Sequence, residues 1–591
     1  MNISSLIKKG IFPFLIIAPL FLNANITNIS NDKTWKSLLH LDVNSNPLIN
    51  SPTFLLSYND FSTKNELIKT LEAFKEDKIN ICKYPARYTF LSEYKKLNIE
   101  KFNLNRCSQF KKYIDNTGTN NISLVFVSEN VTNPSSMMGH VFFKLNGVNS
   151  KGNPVHNAVS FYTVIDTFNL LYLAIESTLI GMDGFFVLKP YNKQIYNYVV
   201  NEDRNIWEYK LKLSKSEVQL ISYHFWELRN VDIKYYFTGY NCATIVNDIL
   251  KLSSKKNYKE EFNLWLTPKD VIKYAYKNKL IESSELFPSK LWNFKMFFKM
   301  VDQEYAKKII KSIDEKKIFK TKNLIKNSNN EKLYELFTLS YLEYNYSKNK
   351  KNIDDFIKIY KEISNNRDIK VDISSYKNPL KTQNDSQFTL NYEDKDTFIS
   401  FLPASHTLYD DNRQYLIESS LKIAQIKLKL NDKIKVEELN LYKMKSLIPW
   451  DNYSKKLSKE LELNYKPLLD KNLEKKHMYN LSYSKGITFQ MTEDIFAFNL
   501  LGIGSGYGKN NIFLYGKNEV GLIIYEIFKM KSTIENNTYY NTYRENNILN
   551  EFKITQSLKL TKNVRVDFSY TNTRVKSQDN EKVAFMLNYI F

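Results

Sequence analysis

From Glu551 the chain alternates strictly between apolar and polar residues. Phe552, Ile554, Leu558 and Leu560 fall on one face, and Glu551, Lys553, Thr555, Ser557 and Lys559 on the other. After a turn at Thr561 the pattern resumes with Val564, Val566, Phe568 and Tyr570 against Arg565, Asp567 and Ser569. After Asn580 it resumes again with Val583, Phe585, Leu587, Tyr589 and Phe591. A period of two predicts strands. Strands of about 9–10 residues, apolar toward lipid and polar toward a lumen, are the pattern of an outer-membrane barrel. The final residue, Phe591, is the terminal aromatic such barrels carry. Weaker strands run through Tyr415 to Leu430, Tyr479 to Phe489 and Leu522 to Phe528. Residues 390–591 are therefore expected to hold roughly 8–12 antiparallel strands. A soluble antiparallel β-domain is the competing reading.

Upstream the period changes. Residues 25–118 read as a helical domain, with Leu67, Ile68, Leu71 and Phe74 at helical spacing. Ile122 to Val127, Val141 to Leu145, Val155 to Tyr162 and Trp207 to Leu213 predict strands. Ser214 and Glu217 form a capping box that opens a helix through Leu228. A second helix follows Cys242, with Ile245, Val246, Ile249 and Leu250 on its apolar face. These make residues 119–252 an α+β domain. Residues 253–389 read as a Lys-rich helical spacer, with a helix start at Thr267-Pro268.

The composition adds an address. Lys8 and Lys9 precede an apolar run from Gly10 to Leu22, with Ala24 at a cleavage position. The run is shorter than the ~20 residues of a spanning helix, so residues 1–24 are expected to be a signal peptide rather than an anchor. Hydrophobic residues are 43% of the 591, enough to build cores. The net charge of +21 comes mostly from lysine and accompanies no nucleic-acid motif. We read it as a compositional bias and expect no nucleic-acid partner. Three cysteines in an oxidising compartment leave one unpaired. Cys82 and Cys107 are the expected bridge, and Cys242 the free thiol.

That thiol is the best candidate for chemistry. A cysteine just before a helix gains thiolate character from the backbone N–H groups there. A histidine can take its proton and return it to a leaving group. Of six histidines, His40, His224, His406 and His477 read as structural, and His140 opens a strand. His156 or Ser160, on the strand expected beside it, would orient the imidazole. Tyr236 or Asn241, with the Cys242 N–H, would hold an oxyanion. The competing reading is a small core cysteine and a surface histidine. No metal or cofactor is expected.

Four motifs occur in order: Asn133-Pro-Ser-Ser136-Met-Met-Gly-His140-Val-Phe-Phe-Lys-Leu145, Asn201-Glu-Asp-Arg204-Asn-Ile-Trp207, His224-Phe-Trp-Glu-Leu228 and Tyr235-Tyr-Phe-Thr-Gly-Tyr-Asn-Cys242. Together they resemble the Lnb N-terminal periplasmic domain family. Cys82-Lys-Tyr-Pro-Ala-Arg87, Pro403-Ala-Ser-His406 and Ser446-Leu-Ile-Pro449 resemble the flanking regions of its longer members. The resemblance implies a permuted NlpC-type, papain-like fold in which Cys242 carries an acyl thioester and His140 is the base. Ser136 and Arg204 would join the site. It further implies lipoprotein N-acyltransferase chemistry, with membrane phospholipid as donor and a lipoprotein as acceptor. The chain departs from that acyltransferase in carrying a barrel pattern where the enzyme has transmembrane helices. It also has Met138 where the family has an aromatic residue before Gly-His.

The expectation is an outer-membrane protein with its Cys–His domain in the periplasm. Two other readings compete: a thiol hydrolase of cell-wall peptide or lipid, and a non-enzymatic scaffold or transport barrel.

Overall fold

The computed structural model describes residues 26–130, 137–164, 172, 176–253, 265–349, 353–364, 377–431 and 433–591. Residues 1–24 and Ser136 lie outside this set. No helix among the described residues is long and apolar enough to cross a membrane.

The first sheet is antiparallel and has seven strands: β1 (Thr119–Val127), β2 (His140–Val148), β3 (Pro154–Thr163), β4 (Met182–Pro190), β5 (Ile206–Leu211), β6 (Ile233–Tyr235) and β7 (Ile281–Phe287), in the order β6-β4-β3-β2-β1-β5-β7. The helices Lys215–Glu227 and Cys242–Leu250 cover one face, where Ile221, Phe225, Ile245, Val246 and Ile249 share a core with Leu124, Val141, Phe143 and Leu145. Trp35, Phe54, Leu67, Phe74 and Ile81 from the N-terminal region belong to that same core. The N-terminal region and the sheet are thus two parts of one packed body.

Two features shift the outlines read from the sequence. The helix Pro268–Lys277, capped by Thr267, buries Val271, Ile272 and Ala275 in the sheet's core, and β7 is the edge strand beside β5. The segment 265–287 is therefore part of the sheet domain. The helical spacer proper begins near Ser289, where helices Lys290–Met300 to Ile353–Ile363 build a core of their own around Phe294, Phe297 and Phe337.

The second sheet comprises β8 (Gln387–Glu393), β9 (Asp396–Leu402), β10 (Ala404–His406), β11 (Glu418–Leu430), β12 (Ile434–Leu447), β13 (Ser458–Leu469), β14 (Lys475–Gln490), β15 (Ile495–Gly508), β16 (Asn511–Tyr525), β17 (Met530–Tyr540), β18 (Ile548–Lys559), β19 (Val564–Val575) and β20 (Gln578–Ile590). β20 pairs with β8, β8 with β9 and β9 with β11, so twelve of these described strands close into a barrel. β10 continues the line of β9 along β11. Outward residues such as Ile503, Phe568, Phe585 and Tyr589 stay exposed and form an apolar belt, as a lipid-facing wall requires.

Charged side chains pair across part of the lumen, and a cavity of about 230 Å³ lined by Glu393, Lys427, Glu438 and Lys553 remains beside them. Lys517 reaches Glu460 at 2.5 Å, Lys443 reaches Glu462 at 2.8 Å, and Lys445 pairs with Glu460, Glu519 and Glu535. Gly504 makes room for the inward Tyr515 ring, which a Cβ would meet at 2.2 Å. The loop after β10 closes the mouth nearest the barrel's termini. There Asp410 accepts from Gln387 at 2.8 Å and pairs with Arg565, Tyr409 accepts from Lys553 at 2.8 Å, and Leu408 joins an apolar cluster with Phe496, Phe498 and Ile523.

Candidate functional site

Cys242 is the first residue of its helix and is buried. Asn241 caps that helix: its Oδ1 accepts from the N–H groups of Ala243 at 2.8 Å and Thr244 at 3.2 Å. Its Nδ2 donates to the Phe237 carbonyl at 3.1 Å. Asn241 thus places the helix that begins with Cys242. The backbone N–H of Val141, the hydroxyl of Tyr235 and the helix's own first N–H groups point toward the sulfur. The thiol thus meets β2 at the residue that follows His140.

Burial pushes the Cys242 thiol above its ordinary range, and those donors offset only part of the effect. His140 opens β2 opposite Val127 and lies over Phe142, with 5.6 Å between ring centroids. Burial, helped by the charge of Arg204, pushes its imidazole down to about 3. No hydrogen bond joins imidazole to thiol in this state. Both shifts favour the neutral forms, thiol and imidazole, over an ion pair. Hydrogen bonds of this kind often tighten only around substrate.

The other sequence candidates separate. Ser160 lies beside Phe142 by the continuing β2–β3 register, on the His140 face, and its buried hydroxyl has no hydrogen-bond partner among the described residues. His156 pairs with Asn146, and its Nδ1 lies 2.8 Å from the Asn146 Oδ1. Asn146 is six residues along β2 from His140, roughly 20 Å away, so the structure does not bring His156 to the pair. Tyr236 donates to the Ile180 carbonyl at 3.3 Å and covers Gly181; its neighbour Tyr235 is the tyrosine at the sulfur. Arg204 is buried. It donates to the carbonyls of Ser128 at 2.7 Å and Val127 at 3.4 Å and pairs with Glu202 at 3.0 Å. Cys82 and Cys107 form the disulfide, with 5.5 Å between Cα atoms.

A network that no spacing revealed lies under the helix. Tyr240 bonds to His40 Nδ1 at 2.7 Å, His40 Nε2 to His224 Nε2 at 2.8 Å, and His224 Nδ1 to Glu227 at 3.0 Å. Arg87 closes the chain: its N–H donates to Glu227 at 2.9 Å and its guanidinium pairs with Glu66 at 2.7 Å. One proton placement satisfies the line, with Tyr240 donating to His40, His40 to His224, and His224 to the Glu227 carboxylate.

The site also touches the barrel. Met137 and Met138, just before His140, and Phe237, just before Cys242, pack on a cluster of Trp265 with Ala404, Leu421, Ile423 and Met444. Leu421 pairs with Met444, Met444 with Leu461, Leu461 with Tyr483 and Tyr483 with Ile503. Cross-strand partners share a face. Tyr483 and Ile503 are exposed on the outer wall, so the whole row faces outward. Lys269 fixes the junction through Asp385 at 2.7 Å, Tyr415 at 2.8 Å and Glu129 at 3.2 Å.

Fold and site define an outer-membrane β-barrel protein with a periplasmic α/β domain seated against the barrel wall. Residues 109–278 match the family model of the Lnb N-terminal periplasmic domain. Residues 27–94 and 382–589 match two domains of unknown function, DUF7843 and DUF7840. No curated protein matches the chain. Among solved structures, the barrel is similar to the KdgM porin in complex with disordered oligogalacturonate (10% identity, 35% of this chain and 98% of that one, TM-score 0.22). It is also similar to the NanC porin (8%, 35% and 98%, TM-score 0.23). An anion-selective porin from Comamonas acidovorans matches at 8% identity over 33% of this chain and 59% of that one, with a TM-score of 0.18. The barrel assignment rests on the strand pairing itself.

Proposed function

We propose that this protein is an envelope cysteine acyltransferase. Cys242 attacks an acyl ester carbonyl of a membrane phospholipid while His140 takes the thiol proton. The ester C–O bond breaks, and the lysophospholipid oxygen leaves with that proton. The thioester then meets an amine, such as the amino terminus of a lipoprotein. The amine's nitrogen forms the new amide bond, its surplus proton passes through His140, and the thiol is restored.

The observation that carries this reading is the seating of Met137, Met138 and Phe237 on the outward wall of the barrel. Loops leading to both reactive residues sit at the rim where the barrel's lipid-facing surface begins. A membrane substrate is then supplied at high effective concentration. A hydrolase would use the same two residues with water in place of the amine.

A non-enzymatic scaffold is the second reading, and one observation favours it: Cys242 is buried and not hydrogen-bonded to His140. The test uses detergent-solubilised protein, phospholipid and a diacylated lipopeptide. Appearance of N-acylated lipopeptide supports transfer. Free fatty acid alone points to hydrolysis, and neither product supports the scaffold.

A further inference from the structure

A cavity of about 400 Å³ lies between the periplasmic domain and the outer wall of the barrel. That is within the range of small-molecule sites. Glu129, Asn130, Glu202, Asp203 and Arg204 form its domain side; Ser419, Ser446, Lys459 and Lys485 form its barrel side, with Lys456 at the edge.

The barrel side is a continuous row. Ser419 pairs with Ser446, Ser446 with Lys459, and Lys459 with Lys485. Their neighbours Glu460 and Ser484 point into the lumen, and Lys485 pairs with the exposed Leu501, so the row faces outward. It lies at the termini end of the wall, one layer beyond the apolar row of Leu461 and Tyr483. Polar residues at this height mark the level of lipid headgroups, where a lysine on the outer face costs little.

The charges are unevenly matched. Glu202 is paired with Arg204 at 3.0 Å, Glu129 with Lys269 at 3.2 Å, and Asp203 with Lys456 at 2.6 Å and Lys348 at 3.0 Å. Lys459 and Lys485 have no ion-pair partner among the described residues, although they stand directly opposite each other. Like charges in that position repel unless something anionic lies between them. Asp203 Oδ1 is buried and receives no hydrogen bond among the described residues, so a ligand with a donor would suit it. The cavity also ends beside His140: Arg204 donates to the Val127 carbonyl, and Val127 is the cross-strand partner of His140.

We propose that this cavity holds the headgroup of a membrane phospholipid, its phosphate on Lys459 and Lys485 and its ammonium or hydroxyl on Asp203. This deepens the acyl-donor reading and rests on it for the fate of the lipid. The binding is tested separately.

Native mass spectrometry of the full chain in detergent, titrated with phosphatidylethanolamine, reads binding directly. The double variant Lys459→Gln/Lys485→Gln is expected to weaken lipid retention on the order of tenfold, through loss of two charge-assisted contacts. Lys562→Gln, at the same rim but outside the cavity, is expected to leave it unchanged. Both replacements are on the barrel's surface, and heat-modifiable migration checks the fold. Equal retention by the double variant overturns the proposal, and so does an equal loss with Lys562→Gln. Inorganic phosphate bound with the same lysine dependence, without lipid binding, identifies a free-phosphate site and overturns it too. Lysine-dependent lipid binding without an acyl adduct on Cys242 supports the cavity and removes the acyltransferase reading. An adduct with lysine-independent binding does the reverse.

Discussion

The hydroxyl of Tyr240 lies 2.7 Å from Nδ1 of His40, joining residues 200 positions apart in complete burial. Tyr240 stands two residues before Cys242, and His40 belongs to the N-terminal region. The contact makes that region a support for the helix that begins with Cys242. His40→Ala removes the middle of the line, takes the partner from His224 Nε2 and leaves a cavity beside the Tyr240 hydroxyl. A loss of about 3 kcal/mol is expected. Tyr240→Phe removes one hydrogen bond and is expected to lose about 1 kcal/mol. Thermal unfolding of the periplasmic domain, followed by near-UV circular dichroism in the full chain, compares them. Equal losses would show that the line does not act as a unit.

Two desolvated imidazoles predict acid sensitivity. Burial lowers His40 from 6.5 to about 4 and His140 to about 3. The unfolded chain binds protons that the folded one refuses. The stability contributed is complete above pH 6.5 and is lost as pH falls through the window toward 4 and then 3. His40 alone accounts for a loss on the order of 3 kcal/mol across that window. Unfolding midpoints measured between pH 7 and pH 4 are expected to fall, and less so in a His40→Gln variant.

The same values predict how Cys242 reacts. A neutral thiol with a raised pKa gives no thiolate plateau near neutrality. Alkylation by iodoacetamide is expected to accelerate up to and beyond pH 9. A plateau between pH 5 and 8 would mean a preformed thiolate–imidazolium pair. Enzymatic turnover is expected to keep its acid limb below pH 5, because His140 remains a free base above that value.

The disulfide spans 25 positions and holds the segment next to Trp226, whose Nε1 donates to the Cys82 carbonyl at 2.8 Å. A Cys82→Ser/Cys107→Ser variant is expected to lose about 3 kcal/mol. Loss of the two-proton mass difference on reduction gives the covalent check, and thermal unfolding gives the energetic one.

The ion-paired lumen bears on the transport reading. Asp410, Tyr409 and Leu408 close one mouth, and the pairs of Lys445 and Lys517 cross the interior. The purified barrel is expected to be silent in planar bilayers. Steady porin-like conductance would show that the plug and the ion pairs open in a membrane.

The sequence made some of this legible and hid the rest for physical reasons. β18 to β20 were plain because one face meets lipid and the other a polar lumen. β15 was not: Phe496, Phe498 and Leu500 point into an apolar lumen cluster, and Gly502 to Gly506 offer alternate positions with no side chain. An apolar residue on both faces erases a period of two. β7 was lost because Ile281-Glu-Ser-Ser-Glu-Leu-Phe287 is a polar edge strand inside a Lys-rich segment. Cys242 and His140 could be proposed from a helix start and a strand start. Tyr235 at the sulfur, and the meeting of His40 with His224, depend on contacts between distant segments, which no local pattern encodes. Asn241 was read as an oxyanion candidate, and the structure adds that it caps the helix, a position its residue type favours.

The most direct test is the intact mass of detergent-solubilised protein after incubation with phospholipid. A fatty-acyl increment that maps to Cys242 and is missing in Cys242→Ala and in His140→Ala is expected. Unmodified protein whose Cys242 still reacts with a small thiol reagent would contradict it.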